Sequence, residues 1–473
     1  MKLKILKFGG TAVGSPERIQ QVIRIIENAL LDGPIRVVVF SAMSGVTNQL
    51  IQISQQASQN DESYLTTFMK IEQKHLDTVK TLLEIKNQSS VLANVKLLFN
   101  ELEDILHGVF LIRELTSKTL DLIMSFGERL STYIIYECMH QKFKDIEYLD
   151  LRKLIKTDAN FGAAQVNFKL TEQNIKIYFN DHPALQFATG FISSTLKDET
   201  TTLGRGGSDF TAAILGAALK VEAVDIWTDV SGMMTADPNK VPTAFPISQM
   251  TYEEAMEMSY FGAKVIYPPT IQPLLEKNIP IRILNVFKAE FAGTYISNQI
   301  MNNQKYLIRG ISSIPEISLL RVQGSGMIGV VGIAGRLFTA LAREKINVIL
   351  ITQASSEHSI CVAVTRADAD RARAVLENEF VLEIQAHHID AIVIEKALAI
   401  IAVVGANMRR TPGIAGKIFQ ALGNAQINVV AIAQGSSELN ISLVIDEAME
   451  KKALNVIHTM FFEDQLIKSQ EKS

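Results

Sequence analysis

Cysteine is nearly absent: Cys138 and Cys361 are the only two in 473 residues, and they lie far apart. No disulfide framework or metal-ligand spacing can be read from them, and so few thiols fit a reducing cytoplasm. Long apolar runs are missing too. No stretch approaches the roughly 18–20 residues that span a bilayer. The start carries lysines at 2, 4 and 7 and no long apolar segment, so no signal peptide is expected. Charge of one sign is not in excess. A formal net charge of −4, spread along the chain, argues against nucleic acid or an anionic membrane as the main partner. Glycine is scarce over residues 62–140, whose pattern is helical nearly throughout, so a helical insertion or cap is expected there. What is present is ordinary for a globular protein, 47% hydrophobic and 20% charged. The length accommodates about two to four domains.

The N-terminal part alternates strand and helix signals. Lys4–Phe8 is a short apolar strand running into Gly9-Gly10-Thr11. Helical spacing follows from Pro16 to Leu31, with Ile19, Val22, Ile23, Ile26 and Leu30 on one side. Arg36–Ser41 is a valine-rich buried strand. Further strands are expected at Leu185–Ala188, Ala223–Thr228 and Ile281–Val286, and a polar linker at 298–305. This order predicts an α/β fold with a mostly parallel sheet.

The C-terminal part holds a repeat. Residues 333–364 and 414–445 align at an offset of 81 with 15 identities in 32 positions. Each copy reads as a helix, Ile-Asn-Val, a strand, a Gln-x-Ser-Ser-Glu turn and a strand. Earlier strands (Ser318–Val322, Ala399–Val404) and later helices (Ala367–Glu377, Glu447–Met460) complete a βαββαβ, ferredoxin-like order. The order matches amino-acid-binding ACT domains. Two structural modules without a ligand are the plainer alternative, since fold alone does not fix function.

Six motifs can carry chemistry. Lys7-Phe8-Gly9-Gly10-Thr11 ends the first strand; its glycines allow backbone N–H groups close to a phosphate, and Lys7 adds a full charge. No Lys-Ser/Thr follows at the spacing of a Walker A loop, and a simple tight turn is the alternative. Ser41 to Asn48 is a hydroxyl-rich loop at a strand's carboxyl end, where ligands sit in open α/β sheets; Ser44 or Thr47 capping a helix is the alternative. Ser125 to Ser131 places Glu128 beside Arg129 at a glycine break between helices, or forms a surface ion pair. Thr200 to Asp209 surrounds Arg205 with three glycines and ends in Ser208-Asp209, expected to cap a helix. Arginine there can hold a carboxylate bidentately. Ile226 to Gly232 ends a strand in Thr228-Asp229. Phe261 to Val265 sets Lys264 in an apolar context, where a snorkelling surface lysine is the alternative. A seventh segment, Gly324 to Gly329, matches G-x-G-x-x-G. It lacks the acidic residue of a dinucleotide site and lies within the duplicated unit, so it reads as an effector-domain loop.

Taken in order, KFGGT, SAMSGVTN, SFGERLS, TTTLGRGGSDFTAA, WTDVSG, ADP and FGAKV resemble the aspartate kinases of the amino-acid kinase family. The resemblance covers the whole chain. HGVFLIRELTSKTLD, EAMEMSYFGAKV and QASSEHSI look most like the kinase half of bifunctional aspartate kinase–homoserine dehydrogenases. With Ser473 shortly after the second ACT unit, no dehydrogenase activity is expected of this chain. The resemblance implies a three-layer kinase fold with a mostly parallel sheet over 1–298. Two ferredoxin-like ACT domains over 310–390 and 391–466 would follow. It implies ATP and Mg2+ as cofactors and L-aspartate as substrate, at the head of the route to lysine, threonine and methionine. Lys7 would neutralise the transferring phosphoryl group, helped by Gly9 and Gly10. Asp209 would orient Lys7 and stand near the magnesium. Arg205 would grip the α-carboxylate of aspartate and Glu128 its ammonium, with Ser41, Thr47, Phe191 and Ser208 completing the pocket. Thr228, Asp229 and Lys264 would hold the nucleotide. The chain departs from the family at Met234, Asn239 and Tyr267, with Lys240 a candidate substitute on the nucleotide side.

The chemistry needs no general base, because a carboxylate of ordinary pKa about 3.9 is already ionised at neutral pH. None of the eight histidines lies in the six chemical motifs. Positive charge, magnesium and in-line placement are what phosphoryl transfer requires. A related kinase with another substrate and a non-catalytic sensor are the alternatives. ACT units usually bury a face or edge against another copy, so a homodimer or larger is expected. Gln353 and Gln434, at equivalent turns, are the expected effector contacts, for threonine ahead of lysine.

Overall fold

The computed structural model describes residues 3–263, 265–300, 306–353 and 358–470, with side chains to residue 462. The chain divides into two compact units. Residues 1–233, 246–252 and 265–300 form the first; 234–245, 253–264 and 301–473 form the second. The catalytic span expected over 1–298 is thus interrupted: two of its segments fold with the C-terminal unit.

The first unit is built on an eight-stranded sheet. Its strands are β1 (Lys4–Phe8), β2 (Ile35–Phe40), β3 (Ile146–Leu149), β4 (Leu185–Thr189), β7 (Ala223–Thr228), β8 (Gln249–Thr251), β9 (Ile281–Asn285) and β10 (Thr294–Ser297). A separate hairpin pairs β5 (Ile192–Ser194) with β6 (Thr200–Thr202). The sheet order is β3-β4-β2-β1-β7-β9-β10-β8, parallel except where β10 meets β9. All six residues of β2 are buried, as expected for a parallel strand covered on both faces. Phe8, Phe40, Phe187 and Trp227 stack in a row across β4, β2, β1 and β7, with neighbouring centroids 5.5–6.0 Å apart.

Helix α1 (Pro16–Asp32) starts where Ser15 accepts the Arg18 N–H and Pro16 supplies a preset φ. It buries Ile19, Val22, Ile23, Ile25 and Ile26. Helix α2 (Val46–Ser58) follows β2. Residues 62–140 are helical as expected, forming α3 (Tyr64–Leu82), α4 (Ile85–Ile112) and α5 (Ser117–His140). The last of these corrects the reading of Gly127 as a break between helices. It lies inside α5, where a side chain would come 2.8 Å from the Ala42 methyl. The remaining helices are α6 (Phe168–Asp181), α7 (Gly207–Leu219), α8 (Tyr252–Tyr260) and α9 (Pro268–Leu275).

The second unit carries a six-stranded antiparallel sheet in the order β12-β13-β11-β14-β16-β15. These are β11 (Gly310–Gln323), β12 (Leu350–Gln353), β13 (Ser359–Thr365), β14 (Val393–Val404), β15 (Val429–Gln434) and β16 (Asn440–Asp446). Helices α10 (Ile333–Arg343), α11 (Ala369–Glu379) and α12 (Val381–Gln385) belong to the first repeat. Helices α13 (Ile414–Asn424) and α14 (Glu450–Gln470) belong to the second. Both repeats are ferredoxin-like, but their boundaries differ from 310–390 and 391–466. The second repeat ends in α14 and takes its outer strand from Gly310–Ile314, the first half of β11, which pairs with Ile400–Val404. Strands β11 and β14 thus serve both repeats. Each is bent between its halves, at Glu316 (φ 57°) and Ala397 (φ 59°), where the pairing register also shifts. The bend brings the two edge strands together, and the Thr352 hydroxyl donates to the Ile432 carbonyl at 3.1 Å. Helices α10, α11, α13 and α14 pack over cores holding Leu320, Val362 and Leu376 in one repeat and Ile401, Leu443 and Ile457 in the other.

Gly324 to Gly329 is no dinucleotide loop. Gly324 and Gly326 let the chain press on residues 388–389; a side chain at Gly324 would lie 2.2 Å from the His388 carbonyl oxygen. Among the described residues, no helix is long and apolar enough to cross a membrane.

Candidate active site

Parallel strands align their carboxyl ends, and β1, β2, β4 and β7 deliver four loops to one edge of the sheet. There a cavity of about 650 Å³ is lined by Lys7, Gly10, Ser41, Thr47, Glu128, Phe191, Arg205, Ser208 and Asp209, among others. The expected catalytic pair and all six expected substrate contacts are therefore brought together.

Lys7 is the next-to-last residue of β1 and is 7% exposed; its Nζ lies 2.5 Å from Asp209 Oδ1. Asp209 sits in the first turn of α7, whose N-terminal partial charge favours an anion. The expected Ser208-Asp209 cap is corrected here. The N-cap is Gly206, and both residues lie inside the helix with free faces toward the cavity. Gly10 passes so close to the next loop that a Cβ would meet the Ala42 carbonyl oxygen at 2.8 Å. The Gly9 N–H donates to Trp227 O at 3.1 Å, which places Gly9 beside the end of β7, where Thr228 donates to Asp229. Thr228 and Asp229 share this sheet edge but do not line the cavity. Lys264 lies outside the described residues.

The loop after β2 is clamped from the helical layer. Ser131 donates to the Ser41 carbonyl at 2.7 Å, and Lys74 donates to the Ser44 carbonyl at 2.9 Å. Helix α2 is capped by Gly45 with no side-chain bond, so the hydroxyls of Ser44 and Thr47 are not spent on capping and both line the cavity. Glu128 does not form a surface pair with Arg129. Arg129 bonds Glu101 at 2.9 Å and lies over the Phe126 ring. Glu128 is 3% exposed; its Oε1 accepts the Ala42 N–H at 3.0 Å, and its Oε2 is buried with no hydrogen-bond partner. Burial pushes its pKa up to about 8, against the pull of the Ala42 N–H, its own backbone and the Lys7 charge.

Phe191 is held at φ 66°, a costly conformation for a phenylalanine. Its N–H donates to Thr211 Oγ1 and its carbonyl accepts from Leu203 N–H, both at 3.0 Å. Arg205 is exposed at the cavity rim, and no described side chain pairs with it. Tyr267, one of the departures from the family, packs on Gly206. A Cβ added there would stand 2.2 Å from the tyrosine's own.

One residue escaped the motif search. Asp121 is fully buried in α5. Its carboxylate accepts the Gly162 N–H (2.9 Å), the Thr202 N–H (3.1 Å) and the Thr202 hydroxyl (2.8 Å). Burial raises its pKa and these bonds oppose the rise. It ties the helix that carries Glu128 to two cavity-lining residues, Gly162 and Thr202. Its only trace in sequence was its place at the end of HGVFLIRELTSKTLD. Lys240 is no free substitute on the nucleotide side. Its Nζ is 2.7 Å from Glu450 and 3.3 Å from Ser313 within the second unit, where Asn239 closes a turn on Asp237.

The expected effector contacts take equivalent places. Gln353 ends β12 opposite Ile360, and Gln434 ends β15 opposite Ile441. Gln434 lines a cavity of about 340 Å³ with Arg410, Thr411, Gly413 and Glu438, at the start of α13. The turn 354–357 after Gln353 lies outside the described residues.

A charged pair and glycine loops at the carboxyl edge of a parallel sheet form a setting suited to phosphate-bearing ligands. The chain belongs to the amino acid kinase family, whose model matches residues 2–285, and ACT domain models match residues 320–380 and 401–461. Within that family its relatives are aspartokinases. The bifunctional aspartokinase/homoserine dehydrogenase 1 of Zea mays is 37% identical over 463 residues, covering 96% of this chain and 50% of the maize protein. The chain thus spans about half the length of such bifunctional relatives. Aspartokinase 1 of Arabidopsis thaliana is 30% identical over 468 residues, covering 97% of this chain and 80% of that protein. Among solved structures, E. coli aspartokinase III in complex with aspartate and ADP superposes with a TM-score of 0.82 at 26% identity, covering 97% and 99% of the two chains. The same enzyme with lysine and aspartate gives 0.76 at 27% identity, covering 98% and 100%.

Proposed function

We propose that this chain transfers the γ-phosphoryl group of ATP to the side-chain carboxylate of L-aspartate, giving 4-phospho-L-aspartate and ADP. One observation carries the reading. A buried carboxyl oxygen (Glu128) and a guanidinium (Arg205), both without a partner among the described residues, line the same cavity as the Lys7–Asp209 pair. A cation site and an anion site lining one cavity suit the ammonium and α-carboxylate of an amino acid. Lys7 suits the charge that moves between nucleophile and phosphoryl group. The hydroxyls of Ser41, Thr47 and Ser208 can orient the second carboxylate, and Phe191 shapes the pocket.

On the nucleotide side, Gly9 and Gly10 bring backbone close to the phosphates, and Thr228, Asp229 and Lys264 are the proposed further contacts. The donor set fits Mg2+, which takes few protein carboxylates and several phosphate oxygens; Asp209 is the carboxylate at hand. Magnesium, when bound, screens phosphate charge. Asp209 pairs with Lys7 at the cavity, and no residue has to remove a proton from the nucleophile. The E. coli aspartokinase III complexes with aspartate, ADP and lysine support the same ligand classes here. We assign the ACT sites at Gln353 and Gln434 to threonine, whose hydroxyl suits an amide that both donates and accepts. The assembly is read as a homodimer or larger through the second unit, and the two free thiols support a reducing compartment such as the cytoplasm.

Hydroxylamine trapping tests the reaction. Aspartyl hydroxamate should form only with ATP and magnesium. Equal or better turnover of glutamate, acetylglutamate or uridylate would sink the assignment.

A further inference from the structure

The bent sheet of the second unit encloses a site that neither the kinase chemistry nor the glutamine turns use. Its helix-free face is turned inward where β12 and β15 meet. A cavity of about 220 Å³ lies there, lined by Arg321, Glu395, Thr352, Ser359, Cys361 and the apolar side chains of Leu319, Val393, Val430 and Ala431. Strand register explains why these side chains share a face. Arg321 stands opposite Cys361 on one side and Val393 on the other; Leu319 stands opposite Glu395; Thr352 stands opposite Cys361. Arg321 and Glu395 both act on the Cys361 thiol, the first favouring and the second opposing its ionisation, so both charges bear on the same small space.

Neither charge is used by the fold. Both residues, Arg321 and Glu395, are exposed, and among the described residues they pair neither with each other nor with a third side chain; the rest of the cavity lining is apolar, hydroxyl or thiol. An arginine and a glutamate on adjacent strands, diagonal to each other on one wall of the cavity, can match the two ends of a zwitterion. The guanidinium can take a carboxylate bidentately, and the carboxylate can take an ammonium. The hydroxyl of Ser359 and the four apolar side chains leave room for a short side chain between them. The volume falls below the roughly 300–1,000 Å³ of pockets for drug-sized ligands, which limits the ligand to a small molecule.

We infer that this cavity is a second amino-acid site in the ACT pair, taking a small neutral L-α-amino acid between Arg321 and Glu395. It is separate from the sites at the turns. Gln353 and Gln434 stand opposite Ile360 and Ile441, which face the helices, whereas Arg321, Cys361 and Thr352 occupy the alternate, inward face. Because its walls come from β11, β12, β13 and β14 on one side and β15 on the other, a ligand there ties the first repeat to the second.

Cys361 gives a direct readout. The full chain would be alkylated with iodoacetamide alone and with millimolar L-threonine, L-valine or L-methionine, and the rates at Cys361 and Cys138 followed by peptide mass spectrometry. Cys138, in the first unit beside the Leu82 carbonyl, is the internal reference. At least one of the three should slow Cys361 several-fold while leaving Cys138 unchanged. The protection should disappear in Arg321→Met or Glu395→Gln and persist in a Gln353→Ala/Gln434→Ala double variant. Both charge variants should keep the parent's basal kinase turnover. The inference is overturned if none of the three protects Cys361, if protection survives both charge changes, or if it vanishes with the two glutamines. None of these outcomes depends on the kinase assignment.

Discussion

Glu128 makes the substrate reading quantitative. Its carboxyl has a pKa of about 8 in the free protein because burial penalises the charged form. At pH 7 only about one molecule in ten is therefore ionised, and receiving an ammonium first requires loss of a proton, which costs about 1.4 kcal/mol per pH unit below the pKa. Aspartate should bind roughly tenfold more weakly at pH 7 than well above pH 8, with release of close to one proton per aspartate at pH 7. Calorimetry at pH 7 in two buffers of different ionisation heat would count that proton. Glu128→Gln keeps an acceptor for the Ala42 N–H; it should weaken aspartate binding and abolish proton release. The same proton acts on folding with a definite sign. Between about pH 4.5 and 8 the native chain holds a proton that the unfolded chain has lost. The contribution of Glu128 to stability therefore falls as pH rises through this window, and Glu128→Gln should flatten that part of the profile. Proton-neutral aspartate binding at pH 7 by a folded parent would refute the assignment of Glu128 to the ammonium.

Three further outcomes are expected. Lys7→Ala should chiefly lower kcat, because its contact strengthens as charge moves, while Arg205→Ala should chiefly raise the aspartate KM; an unchanged KM in the second would displace the α-carboxylate site. Asp121→Ala strands the two buried donors of Thr202 at roughly 1–3 kcal/mol each before relaxation and leaves the exposed Gly162 N–H to water, so the first unit should melt several degrees lower and the aspartate KM should rise; an unchanged melt would show that Thr202 finds other partners. Threonine at millimolar concentration should slow the kinase with a coupling of about 1–3 kcal/mol, and Gln353→Ala should relieve it without loss of basal turnover; absence of threonine binding by calorimetry would end that regulatory reading.

The sheet edge was legible because strand ends and glycine loops are local signals. Lys7, Ser41, Arg205 and Asp209 each sit within a few residues of such a signal, and the structure brings them into one cavity. Roles set by side-chain direction were harder to read. Glu128 and Arg129 are adjacent in sequence yet point to different surroundings, which a helical register separates and a motif does not. Asp121 was invisible because its partners, Gly162 and Thr202, are 41 and 81 residues away. The repeat was plain in sequence, but the strand that completes its second copy precedes the first copy, where no local pattern announces it.

The chain's route between the two units has a consequence for how the protein can be taken apart. It passes between them five times, at 233/234, 245/246, 252/253, 264/265 and 300/301. The excursion at 234–245 is anchored in its own unit. His458 bonds the hydroxyls of Thr235 and Thr243, Asn455 donates to the Lys240 carbonyl, and Ala236 and Val241 are buried in the core with Ile308, Ile457 and Phe462. The second excursion is anchored likewise, with Glu254 accepting from Arg309 and from the Ala406 N–H. A gene cut after residue 300 would thus strip both excursions, 234–245 and the α8 segment, of these partners. The two units are interlaced in sequence rather than strung end to end. A recombinant catalytic fragment would need its excursions redesigned, not merely its C-terminus trimmed, and transplanting the ACT pair onto another kinase would mean splicing at five points instead of one.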